Sequence, residues 1–213
     1  MTEEEARAWL ATHFAVSRET WLRLETYVEA LLAGMEQQNL ISESTRPHIW
    51  ARHIVDSAQL LPLASSAESG TWIDLGSGAG LPGMIIAILS DRPVLMMESR
   101  RKRIDFLEQV IDRLQLRNAD VFGGRIEAAP RQQAAVISAR AYAPLPKLLA
   151  SAQHLSDERT LWVLPKGRNA QIELEAGRRA WQGAFHVERS VTDEDSAIII
   201  GRSIRPVRRK GLG

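Results

Sequence analysis

The segment from residue 71 to residue 83, TWIDLGSGAGLPG, restricts the fold more than any other part of this chain. It begins with β-prone apolar residues, turns through closely spaced glycines and continues into an apolar run behind Pro82. This order predicts a strand, a glycine turn and a helix whose first position is set by proline. Because glycine has no Cβ, such a turn lets backbone N–H groups approach a ligand closely. A helix N-terminus directed at the turn favours polar or negative ligand groups.

Two acids stand where strands of this pattern end. Asp74 precedes the glycines, and Glu98 ends the next apolar run, residues 94–97. A carboxylate at the tip of the second strand can bind the two hydroxyls of an adenosine ribose. We therefore predict a nucleotide-like cofactor, and the alternative is a tight β–α turn beside an unrelated surface acid. The residues predicted to bind the cofactor on this basis are Asp74, Gly76, Gly78, Gly80 and Glu98.

The first of these acids separates two candidate cofactors. Gly78, Gly80 and Gly83 satisfy G-x-G-x-x-G, the fingerprint of dinucleotide-binding proteins. The segment from Asp74 to Gly80 instead resembles the first motif of class I S-adenosylmethionine-dependent methyltransferases. An acid before the glycines suits the ammonium of a methionine moiety and would lie unfavourably near a pyrophosphate. We therefore predict S-adenosylmethionine, with an NAD-binding oxidoreductase as the alternative.

Composition excludes several classes of site. The 213 residues include no cysteine, which excludes disulfides, thiolate metal sites and a cysteine nucleophile, and we predict no metal. The chain contains no run of about 18 apolar residues, so we predict no transmembrane helix. The acidic start, MTEEEARAWL, does not resemble a signal peptide, so we expect a cytoplasmic protein. No exposed apolar stripe calls for a partner subunit, and we expect a monomer.

The order of the remaining elements predicts an α/β fold. Five strands alternate with helices and two late strands follow, which indicates a Rossmann-like sheet of seven strands, mostly parallel, with an antiparallel last strand. Residues 1–65 are predicted to form an N-terminal helical extension packed on the core, including a helix that ends before Pro62. Residues 66–213 are predicted to form the cofactor-binding core, with a basic tail that starts at Arg205. We expect one structural domain overall.

Ligands of such sheets bind at the carboxyl ends of the strands. Gly123 ends the third predicted strand, where an adenine ring would lie. Arg140 follows the fourth strand, whose end would face the transferable methyl group. It is therefore our main candidate for an active-site residue, and the alternative is that it forms a surface salt bridge. Lys166 follows the fifth strand and could hold a base edge or a phosphate.

Basic residues are clustered, although the net charge is only +1. Arg101 lies in a basic first helical turn that opposes the helix dipole, which suggests an RNA phosphate contact as much as a solvated charged face. His53 and Asp56 share one side of a predicted helix, too close along it to form a catalytic triad. We expect these side chains to hydrogen-bond to the loop that follows the helix. The alternative is a polar lid over the cofactor or a contact with nucleic acid.

Over residues 21–204 the chain resembles the bacterial small-subunit ribosomal RNA methyltransferase G family, also called glucose-inhibited division protein B. The resemblance is carried, in order, by RHIVDS at 52–57, DLGSGAGLPG at 74–83, Glu98-Ser99, Lys102-Arg103, Phe106-Leu107, GRIE at 124–127, SARA at 138–141 and Lys166-Gly167. Two departures are a Gln37-Gln38 pair where Trp-Asn is usual, and Glu98 where many members have aspartate.

The resemblance implies methylation of N7 of one guanine in 16S rRNA by S-adenosylmethionine. It also implies that Gly76 and Leu81 contact the cofactor, that Ile126 and Glu127 flank its adenine, and that Arg140 closes the site. The implied partner is 16S rRNA or the 30S subunit. Residues predicted to contact RNA are Arg52, His53, Lys166, Arg101 and Arg205.

The chemistry of the residues agrees with this reaction. Guanine N7 has a lone pair and no proton, so its methylation needs alignment and a dry site but no general base. The chain also lacks an Asn/Asp-Pro-Pro-aromatic motif, which N6-adenine methylation would lead us to expect. Alternatives that the sequence leaves open are a small-molecule methyltransferase and a non-catalytic RNA-binding module.

Overall fold

A seven-stranded sheet forms the centre of the computed structural model, which describes residues 1–207. Its order is β3-β2-β1-β4-β5-β7-β6. Strands β1 to β5 pair in parallel, and β7 runs antiparallel to both of its neighbours, which confirms the predicted sheet with one reversed last strand. The strands are β1 (Trp72–Leu75), β2 (Val94–Glu98), β3 (Ala119–Gly123), β4 (Val136–Ser138), β5 (Leu161–Lys166), β6 (Trp181–Arg189) and β7 (Ala197–Pro206).

Helices cover both faces of this sheet. The α-helices are α1 (Glu3–His13), α2 (Arg18–Gly34), α3 (Asp56–Ala58), α4 (Leu60–Leu63), α5 (Gly83–Leu89), α6 (Arg101–Leu114), α7 (Leu145–Ala152) and α8 (Ala170–Arg178). A 3-10 helix at Glu43–His48 and a π-helix at Trp50–Val55 precede α3, and shorter 3-10 turns occupy Ile126–Ala128 and Gln153–Leu155. Local sequence explains the starts of α1 and α2, since Thr2 forms a capping box with Glu5 and Ser17 accepts the Thr20 N–H.

Two predicted boundaries are wrong. The helix expected to end before Pro62 continues to Leu63, because Pro62 lies in the first turn of α4, where its missing N–H is not needed. The basic tail was expected from Arg205, but β7 continues to Pro206 and pairs Arg205 with Gln182. The later basic residues Arg208, Arg209 and Lys210 lie outside the described residues.

Strands β1, β2, β4 and β5 are largely buried on both faces, and each of them contributes residues to two hydrophobic clusters. Trp72 of β1 belongs to the cluster that includes α1, α2, α5 and α6, whereas its neighbour Ile73 belongs to the cluster that includes α7 and α8. This alternation follows from the two-residue repeat of a strand. Helix α5 is buried from Gly83 to Ile88, as its almost continuous apolar sequence predicts. Because β1 pairs in parallel with β2 and with β4, the carboxyl ends of these three strands come together around the glycine turn.

Candidate active site

The glycine turn between β1 and α5 has the predicted geometry. Gly76, Gly78 and Gly80 have φ angles of 65°, 60° and 91°, in the region that side chains disfavour. A Cβ added to Gly76 would lie 2.6 Å from the Cδ2 atom of Tyr142, so the ring of this tyrosine rests directly on the turn. Behind the turn, the Tyr27 hydroxyl of α2 donates to the Ala79 carbonyl at 2.9 Å. Burial raises the pKa of Tyr27, which keeps this hydroxyl a donor.

Asp74 lies inside the protein rather than on the open side of the turn. Its Oδ2 accepts the Gly83 N–H at 3.2 Å, and its Oδ1 accepts the Ser138 hydroxyl at 2.8 Å. Ser138 in turn accepts the indole N–H of Trp72 at 2.8 Å. Burial raises the pKa of Asp74 to about 6, although these hydrogen bonds oppose the shift. In this structure the carboxylate therefore joins β1, β4 and the start of α5.

A cavity of about 490 Å³ opens on the other side of the turn. We call it the glycine-turn cavity, and its lining includes Gly76, Met97, Glu98, Ile126 and Glu127. Four of the residues predicted to bind the cofactor thus meet here. The other residues predicted to contact the cofactor are not part of this lining: Asp74, Gly78, Gly80 and Leu81 are buried, and Arg140 lies outside the cavity.

Glu98 is the polar centre of the glycine-turn cavity. Its Oε1 accepts the N–H groups of Ser99 and Arg100 at 2.8 and 2.9 Å, and its Oε2 accepts the Gly78 N–H at 3.0 Å. Because a carboxylate offers about four acceptor positions, Oε2 can still accept a ligand hydroxyl. Its charge also lies next to the basic first turn of α6 and compensates for the absence of an acidic residue there.

The glycine-turn cavity fits the adenosine part of S-adenosylmethionine. Its volume falls in the range of small-molecule sites. Met97 and Ile126 supply apolar surface for a planar base, and Glu98 supplies the acceptor that ribose hydroxyls require. Gly76 has no side chain that would keep a ligand away from its backbone. These are the features that the sequence predicted for the ends of β1, β2 and β3.

A second cavity, of about 770 Å³, lies beside the first. We call it the strand-end cavity, and its lining includes Arg52, Asp56, Arg140, Lys166, Glu173 and Ser190. The two cavities share Ala141 and Tyr142. Ala141 has a φ angle of 53°, a left-handed conformation that is uncommon without glycine. The chain thus turns sharply after Arg140 and places the Tyr142 ring where the two cavities meet.

Arg140 reaches the strand-end cavity from the end of β4, as predicted. Its Nη1 donates to the Arg52 carbonyl at 3.4 Å and to Asp56 Oδ2 at 3.5 Å. The Arg140 and Asp56 side chains are 21% and 19% exposed, so both remain accessible beside the cavity. The π-helix places the Arg52 carbonyl one turn before Asp56, and π-helical turns of this kind often occur at functional sites.

Asp56 is fixed by a loop that is distant in sequence. Its Oδ1 accepts the Thr192 hydroxyl at 2.9 Å and the Gln59 amide at 3.0 Å. The side-chain oxygen of Gln59, Oε1, accepts the Val191 N–H at 2.9 Å. Asp56 was predicted to bond the loop that follows its own helix, but it bonds the loop between β6 and β7.

Three residues predicted to contact RNA are exposed and carry ion pairs. Arg52 pairs with Asp193, and its side chain is 42% exposed. Arg101 pairs with Asp105 at 2.9 Å on the surface of α6. Arg205 lies 3.8 Å from Glu158. Exposed pairs of this kind are weak, so each guanidinium can exchange its partner for a phosphate.

The other two predicted RNA contacts lie inside the protein. The His53 ring is buried, and its Nε2 lies 2.8 Å from the Thr45 hydroxyl. Burial and the neighbouring Arg140 and Arg52 lower the pKa of His53 to about 3, which keeps the ring neutral. Lys166 is 9% exposed, and its Nζ donates to Glu173 at 2.8 Å and to the Ala143 carbonyl at 3.1 Å. The structure therefore gives both side chains internal partners.

Glu173 and Tyr142 were not recognised in the sequence. Neither stands in a motif, and Tyr142 reaches Gly76 only because β1 and β4 are adjacent.

Among residues 1–207 no group of three or more histidine, aspartate or glutamate side chains is arranged to hold a metal ion. Within the same range, every helix is too short or too polar to cross a bilayer.

Comparisons with known proteins agree with this geometry. Residues 21–198 match the family model described as rRNA small subunit methyltransferase G. The protein named ribosomal RNA small subunit methyltransferase G from Sphingopyxis alaskensis is 50% identical over 97% of this chain and 89% of its own length. The protein of the same name from Zymomonas mobilis is 48% identical over 99% of this chain and 98% of its own.

Solved structures share the fold at much lower identity. A crystal structure of a mutant of MtNAS in complex with S-adenosylmethionine has a TM-score of 0.58 and 15% identity, and covers 94% of this chain and 83% of the other. A SAM-dependent methyltransferase from Aquifex aeolicus has a TM-score of 0.55 and 14% identity, and covers 73% of this chain and 92% of the other. These two likenesses bear out the predicted class I methyltransferase fold.

Proposed function

Since this chain belongs to the rRNA small subunit methyltransferase G family, we propose that it methylates N7 of one guanine in 16S rRNA with S-adenosylmethionine as methyl donor. The observation that carries this proposal is the pair of adjoining cavities. The glycine-turn cavity has the carboxylate and apolar surface that an adenosine needs, and the strand-end cavity has the volume and polar groups for a base. They meet at Tyr142, which is where a methyl group would pass between the two ligands.

The residues of the strand-end cavity suit a reaction that needs no proton transfer. S-adenosylmethionine, when bound, supplies an electrophilic methyl group on sulfur. In the proposed reaction the guanine N7 lone pair would form the new C–N bond while the C–S bond breaks, and the electron pair of that bond would stay on sulfur. Asp56 and Glu173 are both held by donors of this chain and need not act as a base. The protein contributes alignment and exclusion of water.

We propose that the target guanine is splayed out of a single-stranded or loop region, because a stacked base could not reach the junction of the cavities. Arg52 and Arg101 are exposed and would contact phosphates of the surrounding RNA. Arg205 was predicted to do the same, but it lies beside Glu158 at the amino end of β5, opposite the two cavities, so we do not include it among the contacts near the target base. Binding should then weaken steeply with salt concentration, whereas binding of a small substrate should not. We place the reaction in the cytoplasm, on naked 16S rRNA or the 30S subunit, with the enzyme acting as a monomer.

Mass mapping of 16S rRNA after incubation with the protein and S-adenosylmethionine tests the function. We expect one N7-methylguanosine, and methyl transfer to another atom or to no RNA would refute the proposal. Arg140→Ala should lower kcat/KM by about 100-fold, the scale for removing one well-placed donor at a reacting group. Arg131→Ala is the matched control, since Arg131 is exposed and precedes β4 instead of following it.

A further inference from the structure

The strand-end cavity presents a hydrogen-bond donor and an acceptor side by side. Arg140 Nη1 and Asp56 Oδ2 are 3.5 Å apart, and both side chains are partly exposed. We propose that this pair reads the target base: Arg140 donates to O6 of guanine, and Asp56 accepts its N1–H. The inference rests on the proposed function and names the residues that would make the enzyme specific for guanine.

Asp56 is prepared for this role before any base binds. Its Oδ1 accepts two donors, from Thr192 and Gln59, which fix the orientation of the carboxylate. Within residues 1–207, Oδ2 has Arg140 as its one hydrogen-bond partner, at a distance too long for a strong bond. One oxygen is thus held by the protein, and the other keeps acceptor capacity beside the cavity. Little side-chain freedom remains to be lost on binding.

The geometry of the reaction turns this pair into a test of base identity. N7 must face the methyl group, and this orientation fixes where the groups at positions 6 and 1 of the purine lie. In guanine the next groups are the O6 acceptor and the N1–H donor, which match Arg140 and Asp56. In adenine they are the N6 amino donor and the N1 acceptor, so a donor would face Arg140 and an acceptor would face Asp56. A site built for hydrogen bonds rejects a base that leaves them unpaired.

The same carboxylate favours the chemical step. Methylation at N7 makes the purine cationic and its N1–H more acidic, so the hydrogen bond to Asp56 strengthens as the new bond forms. Interactions that strengthen toward the transition state raise kcat. The charge of Arg140, which alone would oppose a developing cation, is balanced by Asp56. Loss of the carboxylate should therefore lower kcat as well as base specificity.

The test compares three bases at the methylated position. We would assemble 16S rRNA with guanine, inosine or adenine at that position and measure methyl transfer by wild type, Asp56→Asn and Asp195→Asn. Wild type should accept guanine and inosine, which share O6 and N1–H, and reject adenine. Asp56→Asn should lower kcat on guanine at least tenfold and lower the preference for guanine over adenine at least tenfold. Asp195→Asn removes an exposed carboxylate from the same loop and should change neither.

Binding of S-adenosylhomocysteine, measured by calorimetry, shows whether each variant keeps an intact cofactor site. If Asp56→Asn loses that binding, we would make the same measurements on Thr192→Val instead. Thr192→Val removes a hydrogen-bond donor to Asp56 Oδ1 and keeps the Asp56 carboxylate. A severalfold loss of kcat on guanine is then expected. Unchanged kcat and base preference in a variant that still binds S-adenosylhomocysteine would overturn the inference. If wild type forms no N7-methylguanosine at all, the proposed function itself fails.

Discussion

Replacing Asp74 by asparagine separates two roles of this carboxylate. The sequence predicts that it holds the ammonium of the cofactor. The structure places it in the interior, where it accepts the Gly83 N–H and the Ser138 hydroxyl. Burial raises its pKa to about 6 from an ordinary value of 3.8, so a charge at neutral pH destabilises the folded state.

The sign and size of the effect follow from this pKa. Because the folded protein binds the Asp74 proton more tightly than the unfolded chain does, the free energy of unfolding falls as pH rises from about 4 to about 6. A gap of about two pKa units corresponds to about 3 kcal/mol in full, of which about 1 kcal/mol falls between pH 5 and pH 7. Asparagine does not titrate, so the Asp74→Asn variant lacks this contribution.

Urea unfolding followed by tryptophan fluorescence at pH 5, 6 and 7 measures the difference. We expect the free energy of unfolding of Asp74→Asn, relative to wild type, to rise by about 1 kcal/mol from pH 5 to pH 7. Asp195→Asn, an exposed carboxylate, should show no such change. Parallel pH profiles for Asp74→Asn and wild type would refute the assignment of a raised pKa to the buried side chain.

Titration with S-adenosylhomocysteine measures the second role in the same proteins. Because Asp74 is not part of the lining of the glycine-turn cavity, we expect the Kd of Asp74→Asn to rise less than tenfold. A larger loss of affinity, with normal stability, would show that the carboxylate turns toward the methionine ammonium when the ligand binds.

Two further predictions concern the cofactor site and the N-terminal extension. Glu98→Ala should weaken S-adenosylhomocysteine binding at least tenfold by calorimetry, because it removes the acceptor of three backbone N–H groups and of a ligand hydroxyl; unchanged affinity would exclude Glu98 from the site. We propose that residues 1–65 fold with the core as one unit. Deleting them should abolish cooperative unfolding in urea, since α1 and α2 share a hydrophobic cluster with the sheet; a cooperative transition of residues 66–213 alone would contradict this.

The parts of the site that could be predicted are local in sequence. The strand, glycine turn and helix of residues 71–89 are adjacent along the chain, so the pattern of apolar residues and glycines determines them. Glu98 could be placed at a strand end for the same reason. The seven-stranded sheet followed from the alternation of strands and helices, which leaves few topologies.

The remaining features depend on contacts between distant segments. Asp56 bonds Thr192, 136 positions later, and the sequence pattern does not pair them. The direction of the Asp74 side chain could not be predicted, because β1 is buried on both faces and alternation gives no signal. His53 and Lys166 carry basic groups and were interpreted as surface contacts, whereas Thr45 and Glu173 bind them internally.

The segment between β4 and α7 depends most on such distant contacts. Lys166 Nζ donates to the Ala143 carbonyl, and Glu173 Oε2 accepts the Leu145 N–H, so β5 and α8 hold the end of this segment. Arg140 holds its start through the Arg52 carbonyl. Tyr142, between these two anchors, is thereby kept against the glycine turn. A displacement of about 1 Å can lower the rate of a reaction about 100-fold. The internal pairing of Lys166 would therefore affect the reaction through the position of Tyr142, without contact between Lys166 and RNA.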